Sequence, residues 1–559
     1  MTSSSCPLFF DVETEPVSHD QSLPRPVVVA YALADGEVRL ADPAAGAALV
    51  AGHSGPVVGH NVAFDLAVLG LGPGAALYDT ALRSTLLGAS SGDPAAADSS
   101  LKRLAKQQGI ELSGKGTTQL SFRPGLELTE EQKAYAKEDV VATRAVWTAQ
   151  GGVDRASDEE RQTRLSTRIF QMAREGVRVD LARIRQHVED LASQAVPLRA
   201  ELCDFGLIQP RGPKKDPWKR EAVDVATVQR LLRESGATRL ASPDSDLLAS
   251  DEEALVATGR PELRRLVEYR ALGKERSMFQ AFDTGEGDVV RARWKPLVVT
   301  GRVACAAPNL TNIPRAGGLR ECLLPPEGEV WIDADFPALE LRTWAYVCST
   351  WLGRSTLLDV WRSGDDPHWR TAAAILGVGH DDARSHGRGK ETRQLAKVLN
   401  FGLPGGMYPK RLRDHLRSKG FPVGLYGATA LRNTWLKTYP EAREYFDYID
   451  ELREGDKYRV ALPGNGRVRL CFLNDARNYP FQGLGSDVAK EALVRAQDAG
   501  LKVRALVHDQ LLVSAPLTQA QDVGETLTGC MRAAGEAICP GIPWDGIEYS
   551  IYPERWVSK

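Results

Sequence analysis

The sequence predicts an α/β domain at its N-terminal end, a long helical section behind it, and a mixed α+β domain over the remainder. Three observations predict it. Apolar strand-like runs at 8–13, 25–33 and 56–61 alternate with helical patterns in the first 150 residues, as an α/β unit requires. Apolar residues between Glu159 and Phe282 recur chiefly at helical spacing. Past Phe282, the alternating run Glu329 to Phe336 and the paired runs 503–507 and 510–514 read as strands among helices. A chain of 559 residues, at roughly 100–200 residues per domain, holds about three to five domains or subdomains.

Bulk properties exclude several classes. Apolar residues make up 43% and charged residues 26% of the chain, the balance of an ordinary globular protein. No apolar run reaches the length of a membrane span, and the first residues lack the basic and apolar regions of a secretory signal. The eight cysteines are scattered without a CxxC pair, which favours reduced thiols in a cytosolic setting over a disulfide or zinc framework. A net charge of -3 does not announce a polyanion binder. Two local clusters are basic, however: Arg211, Lys214, Lys215, Lys219 and Arg220, and then Arg384, Arg388, Lys390, Arg393 and Lys397. Taken alone, either cluster reads as a solvated surface.

In chain order, Leu8 to Glu13 is an apolar strand ending in acids. Arg25 to Leu33 is a second strand with a turn at Asp35-Gly36, and Pro56 to Asn61 is a third, followed by a helical pattern from Ala63. Helices dominate from about Asp98 to Trp147. On a strand, Asp11 and Glu13 point to the same face. Asp65 lies on the turn into a helix, and Asp139 sits one helical turn after Tyr135. Four carboxylates suit a two-metal phosphodiester-cleaving site, in which hard oxygen ligands hold Mg²⁺ or Mn²⁺ ions about 3.5–4 Å apart and one ion activates water. The Tyr135 hydroxyl is positioned to orient that water. Any one of these acids alone reads as a solvated cap or loop residue; a pair of acids ending an apolar strand does not.

Gly151 to Asp154 marks a boundary. Glu159 to Ala173 and Leu181 to Leu202 are amphipathic helices, and a Pro- and Lys-rich loop occupies 210–220. More helix runs to Phe282, around a Ser/Asp-rich stretch at 242–252, as an elongated arm. The strand 329–336 leads into a helix over 339–347. Helices follow at 368–376 and 391–403, the second stopped by Pro404, which lacks an N–H and biases Leu403 away from helix. Arg393, Lys397 and Phe401 lie at i, i+4 and i+8, hence on one helical face. Two cations there suit a polyphosphate, and the ring suits a flat ring system. Asp335 ends its strand and Asp509 sits at a hairpin tip after His508. Two such aspartates can hold two Mg²⁺ ions for in-line phosphoryl or nucleotidyl transfer. Asp333 shares the face of Asp335 by alternation; it is read as raising the local negative charge or binding outside the metals, with Asp335 as the ligand.

These residues carry two resemblances. Asp11-Val-Glu13, Asn61 to Asp65 and Tyr135 to Asp139 resemble, in order and spacing, the three motifs of the DEDD-type 3′–5′ exonucleases with tyrosine in the third motif. Asp335 to Arg342, Arg393 to Gly402 and Val507-His508-Asp509 resemble motifs A, B and C of family A DNA polymerases, the polymerase I type. Segments beginning at Thr300, Asp366 and Asn478 match three more of that family's motifs, and the likeness covers essentially the whole chain. The implied fold is an α/β ribonuclease H-like exonuclease domain (1–150) followed by an α+β right-hand polymerase domain (151–559). Within the latter, 181–282 is the thumb, 283–365 and 455–559 the palm, and 366–454 the fingers. The implied activity is template-directed DNA polymerisation with proofreading, adding dNTPs to a primer 3′-OH.

The resemblance assigns roles. Asp335 and Asp509 hold two Mg²⁺ ions, with Mn²⁺ as a substitute, and Asp11, Glu13, Asp65 and Asp139 do the same in the exonuclease beside Tyr135. Arg393, Lys397 and His368 bind the triphosphate, and Lys397 is the general acid for pyrophosphate. Phe401 packs on sugar and base, and Glu340 fills the space of a ribose 2′-hydroxyl. Arg302, Asn312, Asn478, Gln482 and His508 contact DNA, and the Arg211 to Arg220 loop grips duplex backbone. The implied partners are primer-template DNA and dNTPs, with accessory replication proteins and no membrane. The protein is expected to be a monomer in the cytoplasm of a bacterium or phage-infected host. It would lack the upstream 5′-nuclease domain and replicate DNA as many bacteriophage polymerases do.

The sequence also departs from the family. Gln510 stands where an acid commonly follows the motif C aspartate, and Gly405 stands where a tyrosine is usual after motif B. Phe336, Pro337 and Ala338 replace tyrosine, serine and glutamine in motif A. Gln510 and Gly405 keep open a second class, a nuclease whose polymerase half only binds DNA; a third, a noncatalytic DNA-binding scaffold, would leave the placed acidic and basic site residues unexplained.

Overall fold

The computed structural model describes residues 6–17, 23–72, 74, 76–113, 116–210, 221–237, 241, 246–285 and 287–557. The Arg211 to Arg220 cluster therefore lies outside the described residues. No helix among them is long and apolar enough to cross a membrane.

The first sheet has five strands in the spatial order Arg39–Ala41, Pro26–Leu33, Leu8–Thr14, Val57–Gly59, Leu77–Asp79. Leu8–Thr14 is central, antiparallel to Pro26–Leu33 and parallel to Val57–Gly59. Its alternation decides everything that follows. Leu8, Phe10 and Val12 pack with Val62 and Leu66 on one face. Phe9 packs on the other face with Tyr135, Val140 and Trp147 of the helix Glu130–Ala149. Asp11 and Glu13 share the face of Phe9, so the strand and this helix carry their acids towards each other. The helix begins at a capping box, in which Thr129 accepts from the Gln132 N–H and Gln132 accepts from the Thr129 N–H.

Helix does not dominate the whole stretch from Asp98 to Trp147. The helices are Leu101–Gln107 and Glu130–Ala149, and among the described residues between them only a short 3-10 turn forms, at Gln119–Ser121. Gly109 and Gly125 adopt positive φ there, at 74° and 79°, and Pro124 removes an N–H, so turn chemistry overrides the helical pattern.

The helical arm is built on Leu181–Asp204 and Pro261–Gln280. With the shorter helices Val225–Glu234 and Glu252–Ala257 they enclose a separate core that includes Leu202, Leu231, Leu232, Leu255, Leu263 and Leu266.

The second large sheet is antiparallel, in the order Lys502–Val507, Gln510–Pro516, Glu329–Asp335, Glu548–Tyr552. Val330, Ile332 and Ala334 face the largest core, and Trp331 faces a second one with Leu512 and Trp556. Asp333 and Asp335 lie on the Trp331 side. Helix Leu473–Asp498 packs against this sheet and against Leu339–Leu352, and Pro367–Leu376 packs against Gly389–Gly402.

A buried ionic cluster ties the N-terminal half to this second sheet. Asp487, on Leu473–Asp498, faces Arg467 at 3.0 Å, Arg161 at 2.9 Å and Lys490 at 3.9 Å. Arg467 also reaches Asp158 at 2.7 Å, and the Lys490 ammonium donates to Gln162 Oε1 at 2.9 Å. Burial opposes the charge on Asp487, yet Arg467, Arg161 and Lys490 hold its carboxyl well below the usual range. Arg161 and Gln162 belong to the helix Glu159–Glu175, whose Glu159 pairs with buried Arg83 at 2.8 Å.

Candidate active sites

The first site lies at the C-terminal end of Leu8–Thr14. Carboxylate oxygens of Asp11, Glu13 and Asp139 lie within 4.8 Å of one another. Like charges this close repel unless a cation lies among them, and three hard oxygen donors suit a divalent one. Asp65 is not part of that trio. It is buried in the first turn of Val62–Val68, and its Oδ1 accepts from the Val12 N–H at 3.2 Å. Burial, then the charge of Asp11, pushes its carboxyl up. The four acids read from the sequence are thus divided into three facing one point and one held against the strand backbone. Tyr135 is buried on the same helix as Asp139, packs on Phe122, and its hydroxyl has no hydrogen-bond partner among the described residues. Burial and the neighbouring carboxylates push that hydroxyl far above its ordinary range, so it stays a neutral donor. His60 bonds the Thr80 hydroxyl at 2.8 Å.

The second site is a cleft of about 1040 Å³. Its floor is the join between Glu329–Asp335 and the hairpin. Asp335 is paired in register with Gln510, and the Phe336 N–H donates to the Asp509 carbonyl at 3.3 Å. The turn is two residues long, since Val507 pairs with Gln510. His508 takes φ 58° at its first position, a region in which histidine is among the better-tolerated side chains. The geometry sets the Asp509 carboxyl beside that of Asp335. Burial, then the Asp335 charge, pushes Asp509 up to about 7. Asp335 Oδ2 is taken by Arg315, while Oδ1 is buried with no hydrogen-bond donor beside it among the described residues. Two adjacent acids in this state fit a divalent cation better than they fit each other.

The cleft wall is the helix Gly389–Gly402, from which Arg393, Lys397 and Phe401 all line the space. Phe401 is 42% exposed there, a large ring left uncovered. His368, Glu340, Arg302, Asn312, Gln482 and His508 line the same cleft. Asn478 does not line it. Its amide sits against Gly405, where a Cβ would come within 2.4 Å of Asn478 Oδ1. A larger residue at 405 would have to displace that amide, so Gly405 and Asn478 fit as a pair.

Arg315, Asp366, Arg320 and Trp556, to which the sequence reading gave no role, complete the surroundings of the site. Arg315 pairs with Asp335 at 2.7 Å, and Arg302 pairs with Glu340 at 2.7 Å. Asp366 caps Pro367–Leu376 through the His368 N–H at 2.7 Å and pairs with Arg393 at 2.5 Å. Burial works against the Asp366 carboxylate, but Arg393 and this N–H keep it below its usual range. Gln510 donates to Asp333 Oδ2 at 2.6 Å and accepts from Arg320 at 3.1 Å. The indole N–H of Trp556 also donates to Asp333, at 2.6 Å. Gln510 thus satisfies a buried carboxylate, and Asp333 is bound inside the fold rather than turned into the cleft. The Asp366 cap was readable from Asp-Pro at a helix start; the partners of Arg315 and Asp333 depend on tertiary pairing and left no local signal.

A family model described as DNA polymerase family A matches residues 231–541. The chain is 28% identical to DNA polymerase I of Aquifex aeolicus over 530 residues, covering 90% of this chain and 88% of that one. It is 29% identical to DNA polymerase I of Deinococcus radiodurans over 316 residues, covering 52% of this chain and 31% of that one. It is 25% identical to the thermostable DNA polymerase I of Thermus aquaticus, covering 78% of this chain and 52% of that one. The chain thus spans most of the first relative and about half or less of the other two. In fold it resembles the POL domain of Pol1 from M. smegmatis, solved in complex with DNA primer-template and dNTP. The TM-score is 0.72 at 19% identity, over 98% of this chain and 96% of that one.

Proposed function

Because the chain belongs to DNA polymerase family A, we propose that it extends a primer 3′-OH on a DNA template with dNTPs and removes 3′-terminal nucleotides at a second site. The observation that carries this reading is the cleft in which the Asp335–Asp509 pair faces Arg393, Lys397 and His368. Acids at one end and cations at the other match the polarity of a metal-bound triphosphate. We divide the chain into an exonuclease domain over 1–150 and a polymerase domain over 151–559. In the latter, 181–282 serves as thumb, 283–365 and 455–559 as palm, and 366–454 as fingers.

Asp335 and Asp509 would hold Mg²⁺, as would Asp11, Glu13 and Asp139, with Asp65 against the strand behind them. When bound, the ions supply charge neutralisation at phosphate and a more acidic hydroxyl or water. The chain's own residues do the rest. Arg393 exchanges Asp366 for phosphate oxygens, Lys397 donates to the leaving pyrophosphate, and Phe401 packs on the nucleoside. Arg302, Asn312, Gln482 and His508 are placed along the same cleft for the primer-template, with Asn478 at its edge. At the other site the neutral Tyr135 hydroxyl offers a donor to an attacking water.

Primer extension in Mg²⁺ with four dNTPs tests the reading, with loss of a 3′ single-stranded tail measured in parallel. Wild-type protein should do both; a protein that binds primer-template but never lengthens it would sink the proposal. Asp11→Ala is expected to slow tail removal by about 10³-fold or more, since a metal site is worth several kcal/mol at the transition state, while extension continues at the wild-type rate.

Glu340, held by Arg302 at the cleft, is proposed to exclude a ribose 2′-hydroxyl. Overpacking by one such group costs ~1–3 kcal/mol. Glu340→Ala should therefore narrow the preference for dNTP over rNTP by about 10- to 100-fold, measured as a ratio of kcat/KM values.

A further inference from the structure

Asn400 lies near the end of the helix Gly389–Gly402 and is 1% exposed, an unusual place for a side-chain amide. It makes four hydrogen bonds. The indole N–H of Trp435 donates to its Oδ1 at 2.9 Å, and the Thr371 hydroxyl does so at 2.9 Å. Its Nδ2 donates to the Pro367 carbonyl at 3.2 Å and meets His368 Nδ1 at 3.0 Å. Indole nitrogen is a donor only, so the atom facing Trp435 has to be the amide oxygen. The amide nitrogen therefore faces His368. An NH₂ group has no lone pair to offer, so His368 Nδ1 has to be the acceptor. The ring proton is left on Nε2.

We propose that Asn400 is a positioning residue that fixes the Nε2–H tautomer of His368, so that the imidazole offers the incoming triphosphate a donor rather than a lone pair. The proposal rests on reading the cleft as a nucleotide site. A polyphosphate at neutral pH presents acceptors only. The opposite tautomer would aim the Nε2 lone pair at phosphate oxygens and would set two N–H groups against each other at Asn400, inside the fold. Charge does not remove the need for this control. Burial, with Arg393 and Lys397 nearby and Asp366 opposing, pushes His368 down to about 4. The ring is therefore neutral in neutral solution, and its tautomer alone decides whether Nε2 donates. The ring of Phe401, 5.8 Å away by centroid, flanks it on the cleft side.

The tautomer can be read directly in protein labelled with ¹⁵N-histidine, from long-range proton–nitrogen correlations, with the His368 signals identified by their loss in His368→Gln. Wild-type protein should show Nε2 protonated and Nδ1 bare at neutral pH. A protonated Nδ1 in the wild type overturns the proposal, and this measurement needs no variant at position 400 to fold. Asn400→Asp supplies a functional arm. Its carboxylate keeps acceptors for Trp435 and Thr371 but demands a proton on Nδ1. Below the raised pKa of the variant's His368 the imidazolium still donates from Nε2; above it, Nε2 carries a lone pair. The ratio of variant to wild-type KM for dNTP should therefore climb about tenfold between pH 6 and pH 9, the worth of one charge-assisted hydrogen bond, with kcat changing less. A ratio that stays flat across that range overturns the role in nucleotide binding. Complete absence of primer extension by wild-type protein would instead remove the functional reading and leave the tautomer measurement to stand or fall by itself.

Discussion

Asp335→Ala is expected to leave a protein that no longer extends a primer. The carboxylate ends the strand Glu329–Asp335, beside Asp509 and across the cleft from Arg393 and Lys397. Losing it removes one of two acids that would hold the metal and takes from Arg315 the carboxylate it pairs with. Metal stabilisation of the transition state is worth several kcal/mol, so extension should fall by about 10³-fold or more. Removal of a single-stranded 3′ tail should persist, because Asp11 and Glu13 lie on the other sheet and Asp139 on the helix packed against it. The check is a single-turnover extension assay beside a tail-removal assay on the same preparation. Extension that survives the substitution would show that motif A has been assigned to the wrong acid.

The second large effect is on stability. Arg467→Met leaves Asp487, fully buried, with Arg161 and Lys490 as its remaining cationic neighbours. Removing one member of a buried ion pair typically costs about 3–5 kcal/mol, mostly as the burden of the charge left behind. The unfolding midpoint in urea should drop accordingly. Arg467→Met combined with Asp487→Leu should recover part of the loss, because the stranded carboxylate goes too. A single variant that unfolds at the wild-type urea concentration would mean that water or a neighbouring cation replaces Arg467 without cost.

How much was legible in the sequence varies with the range of the interaction. The helix carrying Arg393, Lys397 and Phe401 was read as 391–403 and forms over Gly389–Gly402, because periodicity and Pro404 are local signals. The Asp11–Glu13 pairing on one face needed only the two-residue alternation of a strand. Asp139 could be placed one turn after Tyr135, but its approach to Asp11 depends on how the helix packs on Phe9. Helix was over-read between Gln108 and Thr129, where Gly109 and Gly125 turn the chain. Asn400 went unnoticed because one amide in a helix reads as neutral polarity; its meaning lies in Trp435, Thr371 and His368, which only tertiary packing assembles. Gln510 was visible as a departure, while its bond to Asp333 was not, because Asp333 could equally have faced the cleft.

The two-strand register at the floor of the cleft has a consequence for how such a chain can drift. Asp335 and Asp509 owe their separation to main-chain hydrogen bonds across Asp335 and Gln510 and from Phe336 to Asp509. Apolar residues under this sheet can be exchanged in successive generations for others of similar volume, and the two acids will not move so long as inward and outward positions keep alternating. An insertion or deletion of one residue in either strand is a different kind of event, since it turns the whole inward set outward at one step. Ancestry should therefore be recorded here in conserved strand length rather than in conserved core identity.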